Sequence, residues 1–306
     1  MALRVGMIGT DGHIGMVLDG IPKIEGAALV AYAKSHPSDS LEKVSKHPAF
    51  TKDTIVFDDY RQMLEQSDLG IVGVCRPYHL NAEASIAAAD CGIPIVSEKP
   101  VATTESDLDA LEHAIQETGV RLTAMFGMRL LPAFKAAKAA VEEGQIGEPL
   151  LATAQKSYKF GTRPDFFRDR ETYGGTIPWV AIHAVDYSRW ITGMEFTKVG
   201  AIHGNLSHPE YPGCEDQGGI MFQLSNGGTA LVNFDYLRPD SAHGHGDDRL
   251  RIAGSEGVLE ITNLGHQTEI IRTNAGSWIL EMDGETDFLV DFVQELKGIS
   301  PHVIEP

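Results

Sequence analysis

The stretch RVGMIGTDGHIGMVLDGIPKIEGAALVAY, residues 4–32, constrains what this chain can fold into more than any other. Val5 to Ile8 has the apolar character of a short strand, and glycines follow at 9, 12 and 15. A helical stretch starts near His13, and a second apolar run, Ala28 to Ala33, follows Gly26. Strand, glycine turn, helix, strand is the opening half of a dinucleotide-binding βαβ unit. A glycine turn lets the backbone approach a pyrophosphate, which then sits on free helix N–H groups. The spacing here is G-x-x-G-x-x-G, which an ordinary strand–helix turn would also tolerate. Gly9, Thr10, Gly12, His13 and Ile14 are the candidate cofactor contacts of this turn.

Lys34 ends the second strand. An acidic residue there would accept hydrogen bonds from an adenine ribose 2′-hydroxyl, and a lysine cannot. Lys34 can pair with a 2′-phosphate, helped by Ser35 or His36, which would favour NADP(H) over NAD(H), or it can simply face water.

Further strands are expected at Val56-Phe57, Leu69 to Val74, Ile93 to Val96 and Val120 to Met125. Helices separate them, starting near Ser40, after Asp58 as cap, at about His79 and after Thr103 or Thr104. Such alternation implies a mostly parallel sheet with helices on both faces. Ligands then lie beyond the C-terminal strand ends. Gly9, Lys34, the run Arg76-Pro77-Tyr78-His79 and Glu98-Lys99-Pro100 all fall at such ends.

The second half reads differently. Pro132 opens a helix carrying Phe134, Ala137 and Val141, and Leu150 to Tyr158 reads as a strand. Gly161 to Gly175 is an irregular segment rich in polar tips. Thr176 to Thr192 is helical, with Trp179, Ile182, His183, Tyr187 and Trp190 near one face. Strands are expected at 197–203, 219–224, 229–235, 249–253, 257–261, 268–272 and 278–281, with Asn226-Gly227 as a turn. Phe288, Leu289, Phe292, Val293 and Leu296 mark a late amphipathic helix, after which SPHVIEP is expected to add no element. The expected division is a dinucleotide-binding domain over 1–125 and an antiparallel sheet domain over 126–306.

A net charge of −18 over 306 residues, without a basic patch, argues against nucleic acid or an anionic membrane as partner. Cys75, Cys91 and Cys214 form no CxxC and no disulfide framework. With no basic, apolar leader and no run of 18 apolar residues, a cytoplasmic protein is expected.

Lys99 follows a buried strand and precedes a proline, which biases its backbone toward an extended form. A lysine at such a strand end can hydrogen-bond a substrate hydroxyl or transfer its proton, or it can be a surface residue. His183 lies in an apolar helix, as a general acid or base or as a satisfied core histidine. Asp186 suits a structural role. His243, His245, Asp247 and Asp248 crowd a glycine-rich loop, but no third imidazole stands at fixed spacing, and no metal is expected there.

These segments together resemble the glucose–fructose oxidoreductase / inositol dehydrogenase / rhizopine-catabolism (Gfo/Idh/MocA) family over nearly the whole chain. Glu98-Lys99-Pro100 matches the family's E-K-P, whose lysine lies close to the reacting hydroxyl. MRLLPAF, residues 128–134, resembles R-F-x-P-x-F, and Gly144-Gln145-Ile146-Gly147 resembles G-x-I-G. Gly174-Gly175 followed by His183-Ala184-Val185-Asp186 resembles the G-G…H-x-x-D catalytic segment. The resemblance implies an N-terminal Rossmann domain and a C-terminal α/β domain built on an open, mostly antiparallel sheet. It implies hydride transfer between NAD or NADP and a sugar, cyclitol or related polyol. Lys99 and His183 would be catalytic, and Arg129, Tyr158, Arg163, Asp169, Tyr173 and Trp179 would join His183 around the substrate. A homo-oligomer, dimer or tetramer, is expected because an open sheet needs a cover.

The departures from the family pattern are specific. The glycine turn is one residue longer than G-x-G-x-x-G, Asn81 replaces the histidine of T-P-x-x-x-H, and Gly127 replaces an asparagine. Trp179 stands where a catalytic aspartate is usual, four residues before His183. Two rivals follow: a non-catalytic NAD(P)-binding or sugar-sensing protein, and an enzyme using tightly bound NAD for a transient redox step in elimination or glycoside hydrolysis.

Overall fold

The computed structural model describes residues 2–36, 39 and 41–304. Ser40, the expected start of the second helix, lies outside the described residues, as do Glu305 and Pro306 of the C-terminal run. The chain forms two compact units. The first takes the chain up to Gly127, Glu171–Gly174 and the chain from Thr286 onward; the second takes Met128–Arg170 and Gly175–Glu285.

In the first unit, strands β1 (Arg4–Ile8), β2 (Ala28–Ala33), β3 (Ile55–Phe57), β4 (Ile71–Val74), β5 (Ile95–Ser97) and β6 (Leu122–Ala124) form one sheet. Its order is β3-β2-β1-β4-β5-β6, and every neighbouring pair is parallel. The apolar run of β4 is buried throughout, as a central parallel strand covered on both faces must be. The intervening helices are α1 (Gly15–Leu18), α2 (Glu42–Ser45), α3 (Tyr60–Gln66), α4 (Asn81–Asp90) and α5 (Glu105–Thr118). Tyr60, Met63 and Leu64 of α3 and Ala84 and Ala88 of α4 bury against Ala31, Val72 and Ile95. Asp59, not Asp58, caps α3 by accepting the Arg61 N–H at 2.9 Å. Thr104 caps α5, and Gly119 closes it at φ +67°.

The first helix is only one turn long, shorter than the pattern from His13 suggests. Gly20 and Pro22 end it, and a 3₁₀ turn, Ile21–Lys23, follows. A Cβ on Gly20 would meet the Leu289 Cβ at 2.5 Å. This close approach shows where the C-terminal segment goes. The C-terminal helix Phe288–Leu296 belongs to the first unit, which corrects the expected division at 126–306. Its apolar face buries Phe288, Leu289, Phe292 and Val293, and the Asp287 carboxylate caps it and pairs with Lys23 at 2.7 Å. The chain after this helix is also tied down. His302, 3% exposed, bridges the Asp291 carboxylate (Nδ1, 2.5 Å) and the Thr123 hydroxyl of β6 (Nε2, 2.9 Å). Arg121 donates to the Ile304 carbonyl at 3.1 Å. Composition alone gave no sign of this, because the anchor is a single histidine.

In the second unit, β7 (Pro149–Tyr158), β8 (Phe196–Gly204), β9 (Gln217–Leu224), β10 (Thr229–Asp235), β11 (Gly246–Gly254), β12 (Gly257–Thr262), β13 (Gln267–Arg272) and β14 (Gly276–Ile279) form a sheet. Its order is β14-β13-β12-β11-β7-β10-β9-β8. Only the β7–β10 pair is parallel, and Asn226-Gly227 turns β9 into β10. Alternation by two puts Ala152, Ala154, Ala230, Val232, Phe234, Leu250 and Ile252 on the buried face. Helices α6 (Pro132–Glu142) and α7 (Ile182–Thr192) pack in the same unit, with Phe134 and Tyr187 ring centroids 4.9 Å apart. The Tyr187 hydroxyl donates to the Gln155 carbonyl at 2.8 Å. The segment 161–175 is more regular than expected: it holds a 3₁₀ helix, Asp165–Arg168, and a short helix, Arg170–Tyr173. No helix among the described residues is long and apolar enough to cross a membrane.

The buried histidine yields a test. H302A removes a ring that satisfies two buried polar groups and packs on Phe288 and Phe292. We expect a loss of about 3 kcal/mol, the usual scale for unpairing buried polar groups together with a packing defect. Urea unfolding of parent and variant measures it.

Candidate functional site

Chain order in the first sheet reverses at β1, because β2 lies on one side of it and β4 on the other. Ligand crevices in open α/β sheets form at such a switch point, beyond the carboxyl ends of the strands. Gly9 leaves β1 there at φ +74°, and a Cβ on it would lie 2.3 Å from the Cys75 carbonyl at the end of β4. Only glycine fits both the backbone angle and the space. Thr10 is buried, and the Asp11 N–H donates to the Cys75 carbonyl at 2.9 Å.

The turn closes on Glu98, from the end of β5. Its carboxylate is fully buried and accepts from the His13 backbone N–H and from His13 Nδ1 at 2.8 Å. Gly12, at φ +80°, lies so near that a Cβ would strike the carboxylate at 2.0 Å. Burial pushes the Glu98 carboxyl up, but the charge and hydrogen bonds of His13, together with Lys99, more than offset this and hold it below the ordinary value. The N–H groups of Ile14 and Gly15 donate to no protein group among the described residues. They and the narrow glycine cradle fit a dinucleotide's phosphates; the His13 N–H, expected for the same task, is held by Glu98. Lys99, 1% exposed, follows directly, with its N–H on the Glu98 carboxylate at 2.9 Å.

The other expected cofactor residues take mixed positions. The Lys34 ammonium pairs with the exposed Asp58 carboxylate at 2.8 Å. Ser35 is buried, and its N–H donates to the Asp39 carboxylate at 2.8 Å. Arg76 is structural in its contacts: it donates to the Ser35 and Leu80 carbonyls at 3.2 Å each and lies 4.7 Å over the Tyr60 ring. Pro77 precedes a 3₁₀ turn, and His79 Nδ1 is 3.1 Å from the Thr172 carbonyl. Asn81, the departure from the family histidine, accepts the Arg76 N–H at 3.1 Å and donates to the Pro100 carbonyl at 3.1 Å, tying the β4 and β5 ends together. Three residues that sequence reasoning passed over also face this turn: Asp11, Asp39 and Lys43, whose ammonium reaches the Thr10 carbonyl at 3.4 Å. They carry no motif, and the fold alone assembles them.

In the second unit, His183 is buried on α7. A π turn, Ile177–Ala181, leads into that helix, with the Ile182 N–H bonded five residues back to Ile177. Such turns occur often at functional sites. Its start is held by Glu215: the Thr176 N–H donates to this carboxylate at 2.8 Å, and the Thr176 hydroxyl to the Glu215 carbonyl at 2.6 Å. Arg170 forms an ion pair with the same carboxylate and covers Gly175, which sits at φ +105°. Thirty-nine residues separate Thr176 from Glu215, so no local pattern announced the pair.

Trp179 is buried and meets Phe167 edge-on at 6.4 Å. Arg129, expected at the substrate, is bound side-on by Asp186 through contacts of 2.6–3.2 Å. Asp186 therefore has the structural role expected of it, although burial pushes its carboxyl up against the pull of Arg129. Tyr173 is fully buried in the first unit near Tyr78, whereas Asp169 is exposed in the second. Tyr158 does enter a polar cluster. Lys156, two residues earlier on the same face of β7, is 1% exposed; its ammonium lies 2.7 Å from Asp248 and 4.8 Å over the Tyr158 ring. Burial pulls the Lys156 ammonium down, but Tyr158 and Asp248 outweigh it and keep the amine above its ordinary value. His245 lies 4.8 Å from Tyr158. The loop acids thus have cation partners, Asp248 with Lys156 and Asp247 with Arg238 and Arg249. The described residues hold no group of three metal-ligating side chains.

A parallel sheet with a glycine cradle at its switch point defines a dinucleotide-binding fold, and comparison with known proteins specifies it further. Residues 3–126 match the model of the oxidoreductase family with an NAD-binding Rossmann fold, and residues 134–260 match that of the GFO/IDH/MocA C-terminal domain. The chain belongs to the Gfo/Idh/MocA family, and its cofactor is NAD(P). It is similar to a candidate oxidoreductase from Thermotoga maritima, with 35% identity, TM-score 0.94, and coverage of 99% of this chain and 92% of that one. The Bacillus subtilis (strain 168) protein YrbE, an uncharacterised oxidoreductase, is 28% identical over 81% of this chain and 67% of its own. The scyllo-inositol 2-dehydrogenase (NAD(+)) of the same strain is 28% identical over 78% of this chain and 69% of its own.

Asp11 makes the charge of the turn measurable. Burial, then the Asp39 carboxylate, pushes its pKa up from 3.8 to about 6. Between these values the folded chain keeps a proton that the unfolded chain has lost, so stability falls as pH rises through this window. D11N removes that cost. We expect it to be more stable than the parent by about 2–3 kcal/mol above pH 6.5, with the difference vanishing near pH 4. Denaturant titrations at a series of pH values decide the sign.

Proposed function

We propose that the chain transfers a hydride between a nicotinamide cofactor and a carbinol carbon of a sugar, cyclitol or related polyol. One observation carries this reading. Glu98 closes the dinucleotide turn, and buried Lys99 is its chain neighbour, so the lysine's backbone is held at the cofactor cradle. The likeness to an inositol dehydrogenase supports the substrate class.

When bound, the cofactor supplies the hydride acceptor or donor. Lys99 Nζ hydrogen-bonds the reacting oxygen and favours alkoxide-like charge in the transition state. His183 takes the hydroxyl proton in oxidation and returns it in reduction. Glu215 and Arg170 hold the start of the segment that carries His183. The tryptophan at 179 favours one second reading, a protein that binds cofactor and ligand without turnover. Cofactor binding with no absorbance change at 340 nm across a panel of polyols would select it.

We further propose NAD(H) rather than NADP(H). Lys34 is neutralised by Asp58, and the Asp39 and Asp11 carboxylates crowd the region a 2′-phosphate would enter. The sheet of the second unit, which exposes Met221 and Leu231, is our proposed subunit surface, and a monomeric mass in solution would defeat that part.

Two measurements follow. H183A and K99A each lower turnover by about 100-fold or more, the usual scale for losing an acid–base group. H183A keeps its cofactor affinity; near-parental activity in folded H183A would remove the proton-transfer role. In the parent, NAD(H) binds at least about tenfold more tightly than NADP(H), or about 1.4 kcal/mol, and D39N narrows the gap. Equal affinities would defeat the cofactor assignment.

A further inference from the structure

The second unit contains a cavity of about 670 Å³ at the ends of β7 and β10, lined by Phe160, Thr162, Ser207, His208, Tyr236 and Arg238. Asp240 is the one carboxylate among its described lining residues. Its walls are built rather than incidental. His208 stacks on Phe160 at 3.7 Å, with its Nδ1 held by the fully buried Asp216 carboxylate at 3.3 Å. The same carboxylate accepts the Leu206 N–H (3.0 Å to Oδ2) and the Ser207 N–H, so the loop is fixed in shape.

Beside this cavity stands Arg163. Its guanidinium lies 4.4 Å over Tyr236 and 5.6 Å over both Phe160 and Phe167. One terminal nitrogen donates to the Lys159 carbonyl at 3.1 Å, while Nε is buried without a partner. Among the described residues, no carboxylate lies within ion-pair distance of it. Yet the chain carries 43 acidic residues against 25 Lys and Arg, so a fixed arginine without a counter-ion is out of keeping with its composition. Arg238, in the cavity wall, has a buried Nε without a partner, and a terminal nitrogen paired with Asp247 at 3.5 Å. His245 is pushed below its ordinary value by burial first and then by Arg163, Lys159 and Lys156, with only Asp248 opposing. Arg163 is also linked by packing to the segment that leads to His183, because the Phe167 ring beneath it meets Trp179.

Hydroxyls suit a polyol's oxygens, and a planar guanidinium lacking a counter-ion suits an anion. We propose that this cavity binds a polyol carrying an anionic group, carboxylate or phosphate, with Arg163 as the cation that selects it. The proposal rests on the polyol oxidoreductase reading above and narrows its substrate to the charged members of that class.

The test is calorimetric titration of the full chain, saturated with cofactor, at matched ionic strength. The probes are D-gluconate, D-glucose 6-phosphate, D-glucose and myo-inositol. We expect one or both anions to bind at least tenfold more tightly than the neutral compounds, and the tighter of the two identifies the group. R163M should weaken the anion by about 10- to 100-fold, the scale of a charge-assisted contact, and the neutral compounds by a much smaller factor. R163K, which keeps a cation over the rings, should retain part of the preference and guards against a folding artefact in R163M. Equal binding of neutral and anionic probes, no binding of any probe, or unchanged anion affinity in both variants would overturn the proposal. Absorbance at 340 nm in the same mixtures separates the two readings. Turnover of neutral polyols without an anion preference sinks this inference alone. Arg163-dependent anion binding with no cofactor reduction by any probe sinks the oxidoreductase reading and leaves the anion site standing.

Discussion

The contact on which the first unit's site depends is the one between the buried Glu98 carboxylate and the glycine turn. An unpaired carboxylate at that depth would cost several kcal/mol. Here it is satisfied by two donors of His13 and by the Lys99 N–H. The bonds join the end of β5 to the turn after β1, across β4. Gly12 must lack a side chain to let the carboxylate in, and Gly9 must lack one to clear the Cys75 carbonyl. The two glycines therefore answer to neighbouring strands as well as to any cofactor. Lys99 is placed by the same contact, since the carboxylate that holds the turn also accepts its backbone N–H.

The second unit solves a different problem. Its sheet buries one face under helices and carries charged groups such as Arg251 and Glu260 on the other. Lys156 takes an inward position that Ala152 and Ala154 fill with methyl groups, and its Asp248 and Tyr158 partners make that burial tolerable. Glu215 and Asp216 work back to back. One holds the entry to the His183 helix and the other holds the loop that carries His208. A single strand end thus fixes two segments whose side chains matter for binding.

Both sheets were legible because their strands follow simple patterns. The continuous apolar run at 71–74 needs two covered faces, and the alternation in 149–158 and 229–235 needs one. Glycine and proline marked most helix ends. The E-K-P triplet and the G-G…H-x-x-D spacing carried the resemblance to the family whose models match residues 3–126 and 134–260.

What the sequence determined by itself was the class of fold, the family and the strand ends at which chemistry would be found, since these rest on local periodicity and short motifs. The tertiary structure alone decided which polar groups are already spent. Lys34 and Arg129 look available in the sequence, but carboxylates distant along the chain, Asp58 and Asp186, neutralise them. His302 looked like part of an unstructured end, yet it is buried between Asp291 and Thr123. Arg163 looked like one arginine among several, and the fold left it over three rings with no counter-ion among the described residues. The physical reason is common to all of them. Charge pairing and desolvation depend on distance in space, and the separations of 24, 57 and 179 residues for Lys34–Asp58, Arg129–Asp186 and Thr123–His302 carry no local signal of it.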